Sequence, residues 1–259
     1  MSTDEPLLVD FGRTAADYAQ HRPGFPDAFF DKLATLGIGR AGQQVLDLGT
    51  GTGTLARGFA RRGCTAVALD PSTAMLAEAT KAAEDEGVAL RTVAARAEET
   101  GMPSEAFDLV CAGQCWHWFD RGRAAREAWR VLRPGGHMVI GYFSYLPEPG
   151  NVAEATEELV VRHNPTWPMA GLDGRYAAYV DDLVDAGFRL VDTFDFVLPI
   201  CFTHEAWRGR FRACNGVLTL PSETMAKFDE DLARLLAERF PEPIISDHRV
   251  YGIVAENSP

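Results

Sequence analysis

An apolar run that ends in alternating glycines, Val45-Leu46-Asp47-Leu48-Gly49-Thr50-Gly51-Thr52-Gly53, is followed by a second apolar run that closes on a single acidic residue, Asp70. Glycine has no Cβ, takes φ > 0 at little steric cost and lets backbone come close to a ligand. A strand running into such a turn therefore reads as the opening unit of a ligand-binding α/β sheet. Three glycines in one loop also cost conformational entropy, which a ligand explains better than a bare turn does.

The spacing Gly49-x-Gly51-x-Gly53 departs from the G-x-G-x-x-G of dinucleotide sites. Asp47 adds a carboxylate two residues before the first glycine. A phosphate-bearing dinucleotide would be repelled there, whereas a cofactor with an ammonium group and no phosphate would be attracted. S-adenosylmethionine is such a cofactor. Asp70 then stands where a carboxylate grips ribose hydroxyls.

Along the chain, apolar runs alternate with helical periods in a βαβα rhythm, which implies a mostly parallel, doubly wound sheet covered on both faces. Residues 11–36 read as helical cover broken by Pro23-Gly24-Phe25-Pro26. Strands are expected at 45–48, 65–69, 88–93, 107–111 and 137–142, with a turn at Arg133-Pro134-Gly135-Gly136. Helices are expected at 55–62, 72–86 and 121–132, the last capped by Asp120. The rhythm breaks after Phe143. Residues 144–188, with helices at 152–163 and 179–186, read as an insertion forming a substrate lid. Residues 189–259 would complete the same sheet with strands at 192–199 and 249–255 and helices at 204–214 and 222–239. Residues 1–143 would then be the helical cover and cofactor-binding core.

Of 259 residues, 37 are acidic and 25 basic, a net charge of −12 with no long basic run, so nucleic acid is not the expected partner. The first ten residues lack a signal-peptide pattern and no apolar run approaches a membrane span, which points to the cytoplasm and away from membrane. Five scattered cysteines fit reduced thiols. Cys111 and Cys115 lie four apart without a second ligand pair, so no metal site is expected.

Taken in order, the glycine turn, Asp70, Phe107-Asp108-Leu109-Val110 and Leu132-Arg133-Pro134-Gly135-Gly136 resemble the class I S-adenosylmethionine-dependent methyltransferases over residues 10–143. Tyr18-Ala19-Gln20-His21-Arg22-Pro23-Gly24-Phe25-Pro26 and Gln114-Cys115-Trp116-His117-Trp118-Phe119-Asp120 resemble the subgroup that includes trans-aconitate-type and other small-molecule methyltransferases. The resemblance implies a seven-stranded Rossmann-like sheet. It implies that Asp47, Gly49 and Gly51 line the cofactor's methionine end, that Asp70 binds ribose, and that Ala97 and Glu98 flank adenine. Many relatives carry an aspartate where this chain has Arg96, so Glu98 or a backbone carbonyl would meet the adenine amine. Tyr18 and Arg22 would fold over the cofactor, Arg22 pairing with its carboxylate or standing solvated on the surface. With Gly53 and Gln114 these complete the cofactor-binding candidates.

Methyl transfer from a sulfonium is an in-line displacement, and the acceptor must also lose a proton. His117, just after the fourth strand, is the candidate catalytic base, against the alternative that it packs between Trp116 and Trp118. Trp116, Trp118 and Tyr142 are the substrate-binding candidates, with at least one tryptophan expected to line the pocket. Trp167, Tyr176 and Tyr179 read more readily as packing. The expectation is a methyltransferase acting on a small, partly apolar metabolite and releasing S-adenosylhomocysteine. A non-catalytic S-adenosylmethionine-binding regulatory module is the alternative, and a dinucleotide oxidoreductase a third reading that Asp47 opposes.

Overall fold

The computed structural model of the chain describes residues 23–258. The strands are β1 (Gln44–Leu48), β2 (Thr65–Asp70), β3 (Arg91–Ala94), β4 (Phe107–Gly113), β5 (Leu132–Tyr145), β6 (Arg189–Phe202) and β7 (Ile244–Glu256). They form one sheet in the order β3-β2-β1-β4-β5-β7-β6. The pairs β1–β2, β1–β4, β2–β3 and β4–β5 are parallel. Residues Val45 to Leu48 are all buried, as a strand covered on both faces requires, and their unbroken apolar character follows from that.

Register decides what meets at the sheet edge. Leu48 pairs with Leu69 on one side and Ala112 on the other, and Gly113 pairs with Gly141. The carboxyl ends of β1, β2 and β4 therefore lie together, with Tyr142 following beside them. Gly49, Asp70 and Gln114 each stand one step from that edge, where open parallel sheets hold their ligands.

The helices among the described residues are α1 (Asp27–Thr35), α2 (Thr54–Arg61), α3 (Thr73–Asp85), α4 (Arg121–Val131) and α5 (Val152–His163), then α6 (Tyr179–Asp185), α7 (His204–Arg212), α8 (Asn215–Leu218) and α9 (Ser222–Arg239). Ser72 caps α3 by accepting the Met75 N–H, and Asp120 caps α4 by accepting the Arg123 N–H. The third strand starts at Arg91, not at 88. The Val88 N–H is spent on the Ala83 carbonyl at 2.9 Å in closing the end of α3, beside Gly87 at φ 67°, so Val88 cannot open a ladder. The last two strands are longer than their apolar runs, and the expected turn at 133–136 lies within β5, where the register to β4 shifts between Phe107 and Leu109.

The chain divides into two compact units. One comprises Gly24–Phe143, Arg175–Phe196 and the segment from Val250 onward. Its core gathers Leu46, Val110, Trp116, Ile140 and Tyr142 with the inner face of α4. The other includes Ser144–Gly174 and Val197–Arg249, with α5, α7, α8 and α9 packed around Trp207, Phe211, Phe228 and Leu232. The division falls at other positions than the expected boundaries. The 144–188 segment splits at Gly174, its later part belonging to the sheet unit, while the helices of 204–239 join the separate core. The reason is packing: Tyr176 stacks on Tyr142 of β5, whereas Trp207 and Phe211 pack on Tyr145 and Phe228 lies in the same cluster.

Candidate active site

The turn after β1 is held from below by Asp47, which is 1% exposed. Its Oδ2 accepts the Thr50 hydroxyl at 2.5 Å and the Ala56 N–H at 3.1 Å, and its Oδ1 accepts the Cys111 thiol at 3.4 Å. Burial pushes the Asp47 carboxyl up to about 6 while these donors pull the other way. The sequence expectation placed Asp47 against the cofactor's methionine end. The structure gives its oxygens to the loop and to the first turn of α2, so its visible work is to shape the turn.

Gly49 and Gly51 both lie in the left-handed region, at φ 61° and 55°. A Cβ built on Gly49 would stand 2.9 Å from Phe119 Cζ and 3.0 Å from Cys115 Sγ, so the chain following β4 lies directly on the first glycine. A Cβ on Gly51 would meet nothing within 4 Å. Gly51 therefore faces open space, and its N–H is fixed by Asp70 Oδ2 at 2.9 Å. The other oxygen of Asp70 accepts the Ser72 N–H at 2.8 Å, and burial raises its carboxyl above the ordinary range. Each Asp70 oxygen keeps a second lone pair with which to accept a hydroxyl. Gly53 leads into α2, where a Cβ would press on Ala79 of α3 at 3.1 Å.

On the expected adenine side, Ala97 is buried in the main core. The Glu98 carboxylate accepts the Asp120 N–H at 2.9 Å and pairs with Arg96 Nε at 3.4 Å. Its oxygens thus tie the 96–99 turn to the start of α4, a role that its expected contact with an adenine amine did not include. Tyr18 and Arg22 lie outside the described residues.

After β4 the backbone is strained. Gln114 has φ 58°, a conformation that L residues rarely hold and that gathers at functional sites. Its N–H donates to the Gly141 carbonyl at 2.8 Å, which locks the bend against β5. A single 3₁₀ turn follows, Trp116–Trp118. Trp116 is fully buried and its indole N–H donates to Asp182 Oδ2 of α6 at 3.0 Å. It packs in the core. Trp118 is only partly buried and lies against the His117 ring at 4.6 Å between centroids. Tyr142, the third expected substrate contact, is 2% exposed and stands behind His117, its hydroxyl 2.9 Å from Nδ1. Tyr176 stacks on Tyr142 at 3.7 Å, and Tyr179 stacks on Tyr176 at 5.4 Å. The Tyr142 and Tyr179 ring centroids lie 5.9 Å apart, and burial drives the Tyr142 phenol well above its ordinary value. Arg121 lies over Tyr179 at 5.3 Å and pairs with Asp182 at 3.4 Å, so α6 is pinned to α4 beside the site.

Sequence reasoning weighed Tyr176 and Tyr179 as packing and did not connect them to His117. The connection is tertiary: more than thirty positions separate Tyr142 from both. The one signal available was a pair of tyrosines three apart, the second of them opening the expected helix at 179–186.

A parallel sheet that carries an open glycine turn after β1, an acidic residue closing β2 and a strained, aromatic turn after β4 defines a nucleoside-cofactor-binding α/β fold. Comparison with known proteins narrows the class. Residues 46–140 match the family model described as a methyltransferase domain. The chain is 39% identical over 132 residues to the uncharacterized methyltransferase Rv3342 of Mycobacterium tuberculosis, covering 51% of each. It is 37% identical over 185 residues to the malonyl-(acyl-carrier protein) O-methyltransferase of Enterobacter lignolyticus, covering 67% of this chain and 70% of that protein. Among solved structures, the phosphoethanolamine N-methyltransferase 2 of Haemonchus contortus in complex with S-adenosyl-L-methionine matches with a TM-score of 0.57 and 19% identity, over 96% of this chain and 57% of that one. The chain belongs to the class I S-adenosylmethionine-dependent methyltransferases. Its match spans about half the length of the mycobacterial relative, and none of these three names specifies the trans-aconitate type. The open space at Gly51, with Asp70 fixed beside it, fits the family's cofactor.

Proposed function

We propose that this chain transfers a methyl group from S-adenosylmethionine to a small, partly apolar metabolite. The observation that supports this most is the cradle at Gly51: backbone in a ligand-accepting conformation, open to 4 Å, with the Asp70 carboxylate fixed beside it. When bound, the cofactor supplies a sulfonium-borne methyl group whose in-line displacement leaves a neutral thioether. Gly49 and Gly51 would admit its methionine end, Asp70 would accept its ribose hydroxyls, and the bent backbone at Gln114 would close the adjoining wall.

The protein's remaining tasks are to orient the acceptor, exclude water and take a proton. His117 stands on the turn whose flanking residues, Cys115 and Phe119, pack on Gly49, which puts the imidazole on the segment next to the glycine loop. Its proposed role is the base that receives the acceptor's proton. Trp118 offers a partly exposed ring face to an apolar acceptor. The net charge of −12 supports a small acceptor over a polyanionic one.

The test is incubation with S-adenosylmethionine and a panel of carboxylic acids, phenols, thiols and amines, reading S-adenosylhomocysteine by mass spectrometry. Product that depends on one acceptor class is the expected result. Cofactor binding without product from any class would describe a binding module instead.

A further inference from the structure

Resting on the methyl-transfer reading, we propose that Cys111 of β4 is a positioning residue for the cofactor turn, acting through a buried hydrogen bond to Asp47. The two residues are partners in the β1–β4 register, and parallel partners put their side chains on the same face of the sheet. The Cys111 thiol donates to Asp47 Oδ1 at 3.4 Å, and both residues are withdrawn from solvent. Leu109, Val110, Cys111 and Ala112 are the fully buried residues of β4, and of their side chains only that of Cys111 carries a donor. Sequence reasoning considered this cysteine only as a metal ligand, and the methyl-transfer scheme gives it no task.

The hydrogen bonds of Asp47 show why that donor matters to the turn. An ionised carboxylate only accepts, and Asp47 has three donors. The Thr50 hydroxyl and the Ala56 N–H share Oδ2, one from inside the glycine turn and one from the first turn of α2. Among the described residues, Cys111 is the one donor to Oδ1. Without its thiol a buried carboxylate oxygen is left unsatisfied, which costs more than the bond itself contributes. The carboxylate must then turn Oδ1 toward the donors that Oδ2 holds, and those donors are what fix the turn. Gly49 and Gly51 would spend less time in the conformation that admits a ligand, and apparent cofactor affinity falls with that fraction.

Cys115, just past β4, adds a second tie to the same strand end. Its thiol donates to the Leu48 carbonyl at 3.1 Å, and its Sγ would lie 3.0 Å from a Cβ on Gly49. The β4 segment thus holds β1 at the carboxylate before the turn and at the carbonyl that opens it. Burial keeps both thiols well above their ordinary range, so each stays S–H, and a donor, at neutral pH.

The test is a double-mutant cycle on the full chain, comparing the native protein, Cys111→Ala, Asp47→Asn and the two combined. S-adenosylhomocysteine affinity is read by calorimetry above the pH at which Asp47 titrates. Cys111→Ala should weaken binding by the native protein roughly three- to tenfold. In the Asp47→Asn background, where an amide nitrogen can take the place of Oδ1 and needs no donor, the same change should cost less than about twofold. A thiol that only fills space would cost the same in both backgrounds, so equal losses, or no loss in the native background, would overturn the proposal. Amide hydrogen exchange in the cofactor-free chain reads the link without any ligand. The Ala56 N–H, which donates to Asp47, should exchange about threefold faster or more in Cys111→Ala, and unchanged exchange in the folded variant would also overturn the proposal. Failure of the native protein to bind S-adenosylhomocysteine would remove the methyl-transfer reading, and the exchange result would still decide whether Cys111 holds Asp47.

Discussion

Gly49 and Gly51 share a left-handed backbone but not a reason for being glycine. At Gly49 the obstacle is neighbouring side chains, Phe119 and Cys115, whereas at Gly51 it is the space that a ligand would need. Gly51→Ala should therefore fold, losing roughly 1–2 kcal/mol to its positive φ, while its affinity for S-adenosylmethionine falls sharply. Gly49→Ala adds a clash to the same strain and should be the less stable of the two. Thermal melts and calorimetry on both variants check this, and normal cofactor affinity in Gly51→Ala would contradict it. Asp47 makes a second residue-level prediction. Its carboxyl titrates at about 6 in the fold against an ordinary 3.8, so the folded state holds the proton more tightly. The stability that this proton confers is complete below pH 4 and is lost as pH rises through about 6. Asp47→Asn keeps an acceptor for Thr50 and Ala56 but cannot titrate. Between pH 4 and 6, denaturant melts should show the variant gaining on the native protein by on the order of 2–3 kcal/mol; a difference that moves the other way would count against a raised Asp47.

At the scale of elements, helices were legible where polar caps and apolar periods coincide. The readings at 152–163 and 222–239 match α5 and α9 end to end, and Asp120 caps α4 as expected. Asp120 also donates its own N–H to Glu98, so the start of α4 is fixed from two sides. Asp120→Ala should cost about 1 kcal/mol through the lost cap, measurable by denaturant unfolding, with little change if the cap contributes nothing. What the sequence did not disclose was a matter of period. Trp116 and Trp118 stand as equal candidates in the sequence, but they occupy a 3₁₀ turn in which Trp116 is buried and bonded to Asp182 while Trp118 is only partly buried. Glu98 looked available because its partner, the Asp120 backbone N–H, is 22 positions away. The tyrosine stack was invisible for the same reason: ring contacts between β5 and the start of α6 leave no local signature.

For the molecule as a whole, the register of β1 with β2 and β4 is what turns scattered motifs into a site. Apolar runs and glycine turns show where parallel strands end, and parallel strands must end on a common edge, so the placement of Gly49, Asp70 and Gln114 was foreseeable. The division into two compact units was not. Helical periods reveal that α7 and α9 exist but not which core receives them, because that depends on contacts between Trp207, Phe211 and Phe228 and segments distant in sequence. Among the described residues no helix is long and apolar enough to cross a membrane. The central claim is a cofactor site built by the glycine turn and Asp70. Its most direct test is calorimetric titration with S-adenosylmethionine, S-adenosylhomocysteine and NADH, on the native chain and on Asp70→Ala. Binding of the two sulfur cofactors alone, weakened roughly 10- to 100-fold in the variant through loss of carboxylate hydrogen bonds, is the expected result. Binding of NADH alone, or equal affinity in Asp70→Ala, would contradict it.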